Sequence, residues 1–456
     1  MLPLAALTLP GVLLAYRAPQ APAAPPAPPP AATWKLEDKG GRISLEEFDR
    51  FLGRLNRNRP LGQQALTHLL QIQLVEREAE KRGLRVPEEK VEERFQQARQ
   101  AMEQAGPSYE EQLVLRGISE EEFLKLIRDS LLHEMLVRAD RAEPSDAPVT
   151  ADEARKWTAG RIQDLLELAR NAPPGWVLQA PSYAIREQDL GTAIRQALPP
   201  ARLREDLRQL ALERILDQMA QDRGWAVTAD LLEEEIEWRR QRVAENPAFA
   251  GAGYETLLKA QGSSLEEVRR GGELRTAGIL RLLARERMND AWFAGLSPEK
   301  RHELDAQYGA ARLAAWILLR AKEQPADPLD LDFSKAAEEL EKYAAGIHSK
   351  EDFLQTAERD SEDERTRRNG GVLGWIHRKE PGLEPALQKA VFQVEPGLVF
   401  GPFQVLEGEG ILMVVDTRPQ PPEAEFRSLV RRGKHVQLRK TVLVEAGLKT
   451  IYDPKG

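Results

Sequence analysis

From Trp34 to about Asp305, apolar residues recur at the three-to-four-residue spacing of amphipathic helices, with long charged faces such as Glu233-Glu-Glu-Ile-Glu-Trp-Arg-Arg240 between them. From Tyr308 to Pro419 the pattern changes. Ala311–Arg320 reads as a strand, and helices follow around Phe333–Ala345 and Lys350–Asp360. A short strand Leu373–Ile376, a helix near Pro385–Gln393 and strands Phe400–Leu406 and Ile411–Thr417 complete the segment. That order, β-α-α-β-α-β-β, predicts a small sheet covered by helices, an α+β unit. Glu423–Leu448 reads as one further helix, with Phe426, Leu429 and Val430 at helical spacing.

The helical stretch repeats itself. Ala79-Glu-Lys-Arg-Gly83 followed by Val86 aligns with Ala220-Gln-Asp-Arg-Gly224 followed by Val227, each an amphipathic helix stopped by a C-cap glycine. Upstream, Ile43-Ser-Leu-Glu-Glu-Phe48 parallels Ile185-Arg-Glu-Gln-Asp-Leu190. Downstream, Tyr109, Leu113, Gly117 and Ser119 match Tyr254, Leu258, Gly262 and Ser264. The near-constant spacing marks two copies of one helical module. This predicts five parts: residues 1–33 as leader and linker, 34–150 and 151–305 as the two copies, 306–420 as the α+β unit and 421–456 as a C-terminal helix.

The ends of the chain and its composition narrow the function. Leu2–Tyr16 is an uncharged apolar run, short for a membrane span of ~20 residues and close to a signal-peptide core. Pro10 and Gly11 interrupt it, and Arg17 lies behind it. Export, with the segment cleaved or kept as an anchor, is the expectation; a buried or irregular start is the alternative. Ala18–Ala32 is rich in Pro and Ala, a composition suited to an extended linker of on the order of 45 Å. Lys plus Arg number 65 against 73 Asp plus Glu, a net charge of -8, which speaks against nucleic-acid binding. There is no cysteine, and the six histidines show no metal-ligand spacing, so neither a metal nor another cofactor is expected.

Two runs of the α+β unit carry a family resemblance. Ser361-Glu-Asp-Glu-Arg-Thr-Arg-Arg-Asn-Gly370-Gly-Val-Leu-Gly-Trp375 resembles the parvulin signature, a Ser-x-Asp/Cys loop leading to Gly-Gly-Asp-Leu-Gly-aromatic. Ala390-Val-Phe-Gln-Val-Glu-Pro-Gly397-Leu-Val-Phe-Gly-Pro402 is similar to the family's Ala-x-Phe-x-Leu-x-Pro-Gly-x-x-Ser-Gly-Pro run. The helices ahead resemble the N-terminal domains of the SurA and PrsA foldases. The resemblance implies a parvulin-type (PpiC) domain attached to duplicated SurA-like helical modules.

Parvulins speed rotation about the bond before proline, a step without covalent chemistry, by binding the ring in an apolar pocket and favouring the twisted amide electrostatically. Carried over position by position, the resemblance puts Trp316 and Gly410 where the family has its two histidines, and Val372 where it has the aspartate of its glycine motif. Asp363 alone matches a polar position. It is either a remnant catalytic carboxylate or a residue that orders a polar loop. Trp316, Leu373, Leu383 and Leu387 fall at the proline-pocket positions, and Trp316 either stacks on substrate or belongs to the core. His348 and His377 lie outside the family's histidine positions.

The expectation is an exported chaperone-like folding factor that binds unfolded or extended polypeptides, with weak or absent prolyl isomerase activity, either released or tethered to a membrane through its N-terminus. An active isomerase with a histidine-free site around Asp363 is the alternative. A scaffold for one fixed partner is a third reading.

Overall fold

The computed structural model describes residues 30–453, apart from 37–38, 106–108, 111–112, 114–118, 142–147, 170–171, 174, 250, 326 and 328–329. The apolar run and most of the Pro/Ala-rich linker lie outside the described residues. Among the described residues no helix is long and apolar enough to cross a membrane.

Each copy of the repeat opens with a β-hairpin. Strands β1 (Ala32–Leu36) and β2 (Lys39–Ile43) pair antiparallel ahead of helix α1 (Leu45–Asn56), and β3 (Trp176–Ala180) and β4 (Tyr183–Arg186) pair ahead of α6 (Glu187–Ala197). The prediction of a nearly all-helical stretch missed these hairpins. Their strands have only four or five residues, so the alternating pattern barely exceeds one period. Ala31 and Ala32 are already buried, so folded structure starts inside the segment assigned to the linker.

The first copy continues with α2 (Pro60–Arg82), α3 (Glu88–Ala105), α4 (Glu120–Arg141) and α5 (Ala151–Ala169). The second continues with α7 (Pro200–Asp222), α8 (Ala229–Glu245), a 3-10 turn Pro247–Phe249, α9 (Tyr254–Ala260), α10 (Leu265–Arg270), α11 (Gly272–Arg287), α12 (Asp290–Ala294) and α13 (Pro298–Tyr308). The repeated glycines do the same work in both. Gly83 and Gly224 each sit at φ 62°, a left-handed conformation that glycine adopts without a side-chain clash. Leu84 N then donates to Ala79 O at 2.9 Å, and Trp225 N to Ala220 O at 2.8 Å, closing the two helix ends alike.

The copies meet where α1 crosses α6. A Cβ on Gly191 would stand 1.7 Å from the Asp49 carbonyl oxygen, and one on Gly53 would stand 1.8 Å from that of Glu187. Only glycine lets these backbones touch. Beside the crossing, buried Asp49 accepts hydrogen bonds from Arg195 Nε at 2.6 Å and Thr192 Oγ1 at 2.9 Å, so one carboxylate ties the copies together. Leu52, Leu66, Leu70, Leu190, Ile194, Leu210, Ile215 and Leu280 belong to one core drawn from both copies. The α3–α4 arm adds a small cluster of its own, in which Phe95, Tyr109 and Phe123 pack ring against ring.

The segment 421–456 is two helices and a strand where one helix was expected. Helix α17 (Glu423–Gly433) and α18 (His435–Glu445) are separated at Lys434. The Tyr308 ring packs where a Gly433 side chain would be, with Oη 2.2 Å from that Cβ position, and the chain bends there. Phe426, Val430, Leu438 and Val442 complete the shared core, and β9 (Lys449–Thr450) pairs with β1. His435 is largely buried; burial first, then the charges of Arg432, Arg439 and Arg281, push its pKa down to about 4.

The α+β unit is inserted between α13 and α17. It holds β5 (Ala311–Arg320), α14 (Phe333–Gly346), α15 (Lys350–Asp360), β6 (Val372–His377), α16 (Pro385–Gln393), β7 (Val399–Val405) and β8 (Gly408–Arg418). The sheet is antiparallel in the order β6-β5-β8-β7, and β5 pairs with β8 along its whole length, Ala311 opposite Arg418. The unit therefore enters and leaves at one end of one strand pair. Strand alternation sends Ala315, Ile317, Leu319, Ile411 and Met413 to the face under α14 and α15. It sends Ala314, Trp316, Leu318, Leu412 and Val414 to the face covered by α16.

Candidate functional site

The face under α16 collects the residues singled out from the sequence. Trp316, Leu373, Leu383 and Leu387 belong to one apolar cluster with Phe392, Phe400 and Phe403. Their accessibility differs. Trp316 is 5% exposed and Leu387 3%, so both are core residues with almost no surface to offer a ligand. Leu373, Leu383, Phe400 and Phe403 are half-buried and form an open apolar rim. Phe400 and Phe403 were missed at the pocket positions; their signal was the aromatic spacing just past the Pro396-Gly397 turn.

Asp363 lies in the loop that joins α15 to β6, and its surroundings account for its burial. Ser361 Oγ accepts from Leu318 N at 3.2 Å and from Asp363 N at 3.3 Å, which runs the loop alongside β5. Asp363 Oδ2 accepts from Trp316 Nε1 at 2.9 Å and from Thr366 Oγ1 at 2.7 Å. Oδ1 accepts from Arg365 N and Arg365 Nε, both at 3.2 Å. Thr366, which the sequence reading overlooked, also accepts from Trp316 Nε1 at 3.2 Å. Burial pushes the Asp363 carboxyl up, but the Thr366, Trp316 and Arg365 donors outweigh it and hold it below the usual carboxylate range.

The two positions aligned with the family's histidines are adjacent in space. Leu318 on β5 is opposite Gly410 on β8, and Trp316 opposite Leu412. A Cβ on Gly410 would stand 3.5 Å from Trp316 Cε3 and 3.6 Å from Phe403 Cζ, so the indole and the phenyl ring flank the place where a side chain would be. Gly371, at φ 73°, is held tightly as well: a Cβ there would lie 2.1 Å from the Trp316 carbonyl oxygen, and Gly371 O accepts from Trp316 N at 3.0 Å. The indole is thus fixed from both sides, its N–H toward the loop and its benzo edge toward the rim. His348 and His377 take no part in this hydrogen-bond set. Among the described residues no cluster of three or more His, Cys, Asp or Glu side chains could hold a metal ion.

A four-stranded antiparallel sheet with two helices on one face and one on the other, carrying this loop and apolar rim, defines a parvulin-type domain. Residues 317–416 match the family model described as rotamase, the PPIC-type PPIASE domain. The chain is 31% identical over 273 residues to "Chaperone SurA" of Cupriavidus pinatubonensis, a match covering 56% of this chain and 52% of the relative. It is 28% identical over 121 residues to "Foldase protein PrsA" of Clostridium botulinum, covering 26% of this chain and 35% of that protein. Among solved structures, PrsA of Streptococcus pneumoniae aligns at 18% identity and TM-score 0.30, over 59% of this chain and 90% of that one. The chain spans about half the length of the SurA relative that it matches. The chain thus carries one PpiC-type domain beside mostly helical modules, and it is similar in part to proteins named SurA and PrsA.

Proposed function

We propose that this protein is an exported folding factor that holds unfolded or extended polypeptides, and that its parvulin-type domain binds chain segments with little or no prolyl isomerase activity. The carrying observation is the state of the site. The two oxygens of Asp363 are engaged by Trp316, Thr366 and Arg365, and Gly410 and Val372 bring no polar side chain. A twisted prolyl amide would meet no free, preorganised donor or acceptor from these positions, and loss of such groups costs about 2.7–4 kcal/mol of transition-state stabilisation each. The rim of Leu373, Leu383, Phe400 and Phe403 keeps its apolar surface, which suits contact with an apolar or prolyl segment. The similarity to proteins named as a chaperone and a foldase supports the same reading. The apolar run Leu2–Tyr16 and the Pro/Ala-rich segment behind it support export, and a membrane tether through that run belongs to the same proposal.

Two assays on residues 30–456 test this. Light scattering should show suppressed aggregation of several unrelated unfolded clients at micromolar protein. Cis/trans exchange of a proline tetrapeptide should stay at its background rate of roughly 10–100 s. Failure with every client would overturn the proposal. So would rapid exchange that Asp363→Ala abolishes, which would establish the histidine-free isomerase instead.

A further inference from the structure

One of the contacts between the second helical copy and the parvulin-type domain is made by a proline. Helix α8 ends at Glu245, and the turn Pro247–Phe249 carries the chain onto β6, an edge strand of the sheet. Pro247 Cδ and Cγ lie 3.4 and 3.5 Å from where a Cβ on Gly374 would stand. Asn369 Nδ2 donates to the Pro247 carbonyl oxygen. Beside them Glu245 Oε1 accepts from Arg418 Nη2 at 2.9 Å, and the Arg418 guanidinium lies 3.8 Å from the centre of the Trp375 ring. The ring, the carbonyl after it and a flanking carboxylate are thus each met by a separate group of the domain.

The receptor side of this contact is built from the same pieces as the candidate site. Asn369 N donates to Thr366 O at 2.9 Å, and Thr366 holds Asp363 and Trp316. Gly374 follows the rim residue Leu373 directly and pairs with Ala314, two residues before Trp316. Away from the contact, the domain is held to the body mainly near the ends of its first and last strands. There Gln420 Nε2 donates to Asp305 Oδ1 at 3.0 Å, and Lys379 N donates to Ala306 O at 2.8 Å. Attachment at one end leaves the Pro247 contact as a second point that fixes the domain's orientation.

We infer that Asn246–Pro247 is an intramolecular ligand of the parvulin-type domain, a prolyl turn that occupies the β6 end of its polypeptide-binding surface and is displaced when a proline-bearing segment of another chain binds. The inference rests on the reading of this domain as a binding unit. Its partner is defined by chemistry: an extended segment with a proline ring to lie on Gly374, a free carbonyl for Asn369 and an acidic residue upstream for Arg418. A latch closed about nine-tenths of the time lowers the apparent affinity for such a segment about tenfold.

The probe is a fluorescent peptide copying residues 245–249, Glu-Asn-Pro-Ala-Phe, titrated into residues 30–456 by anisotropy. Pro247→Ala removes the ring of the internal ligand, while the carbonyl at 247 and Glu245 stay in place, so the peptide should bind up to about tenfold more tightly than to the unaltered chain. Adding Asn369→Ala should weaken binding again. Hydrogen exchange across 369–377 should quicken in Pro247→Ala and slow when the peptide is added. Equal affinity in the two proteins, with unchanged exchange across 369–377, overturns the latch while leaving the domain a binding unit. Binding to neither protein also overturns it, and aggregation suppression by the intact chain then shows whether the folding-factor reading survives.

Discussion

Replacing Trp316 with Phe tests whether the indole N–H holds the Asp363 loop in place. The substitution keeps an aromatic ring between β5 and the rim and deletes the donor 2.9 Å from Asp363 Oδ2. A hydrogen bond to a charged group contributes about 1.5–3 kcal/mol. Thr366 and Arg365 remain as donors, so the lower end applies, about 1.5–2 kcal/mol. At 1.4 kcal/mol per tenfold, amides that depend on the loop should exchange about 10- to 30-fold faster at pH 7. The reporting amides are Gly371 N, bonded to Thr366 O, Trp316 N, bonded to Gly371 O, and Glu362 N, bonded to Leu318 O.

The pH dependence separates this bond from the smaller ring's packing loss. Asp363 is depressed in the folded protein, so its contribution is complete above the unfolded value of ~3.9 and disappears as pH falls through the lower folded value. The gap between the two proteins, after correction for intrinsic exchange, should be widest at pH 7 and narrow as pH falls below about 4 toward the lower folded value, until only the packing part is left. A gap under threefold at pH 7, or one that does not narrow at all as pH falls through the acid range below about 4, would refute the reasoning.

Two further predictions concern the helical body. Gly191→Ala should drive α6 away from α1, because its Cβ would sit 1.7 Å from a backbone carbonyl oxygen; a loss of about 1–3 kcal/mol or more in urea unfolding is expected, and a loss below 0.5 would show that the crossing yields freely. His435, held to about 4 by burial and by Arg432, Arg439 and Arg281, stabilises the fold fully above its unfolded pKa of ~6.5 and loses that contribution down to about pH 4. His435→Gln should remove up to about 1.4 kcal/mol per pH unit from the slope of stability in that window, and an unaltered slope would contradict the burial argument.

The sequence was most legible where structure is local. In the α+β unit, Ala311–Arg320 and Pro385–Gln393 form the very elements expected, because alternation, glycines and prolines delimit them within a few residues. The duplication was legible through Gly83 and Gly224, whose backbone requirement leaves a mark in the chain. The hairpins were not: five residues of β1 gain strand character from partners that include β9, at the far end of the chain. The bend at Lys434 escaped notice because its cause, the Tyr308 ring on Gly433, comes from another element. At the site, the residue types and positions were readable, but the exposure of each was not. Trp316 and Leu387 became core and Phe400 and Phe403 became rim through the way β7 and α16 lie across the sheet. The prolyl contact of Pro247 depends wholly on tertiary placement.

The pairing of β1 with β9 has a consequence in time. Thr33 leaves a ribosome long before its partner Lys449. At ~5–20 residues per second, the roughly 400 residues between them take about 20–80 s to appear. Until Glu423 appears the helical body lacks α17, α18 and its closing strand, whereas the inserted domain, whose strands among the described residues pair only with one another, is whole as soon as Arg418 has emerged. The guest can thus fold before its host. The segment after the domain is the clasp that turns an open array of helices into a finished receptor, so a chain cut before Glu423 would carry a folded domain on an unsealed frame.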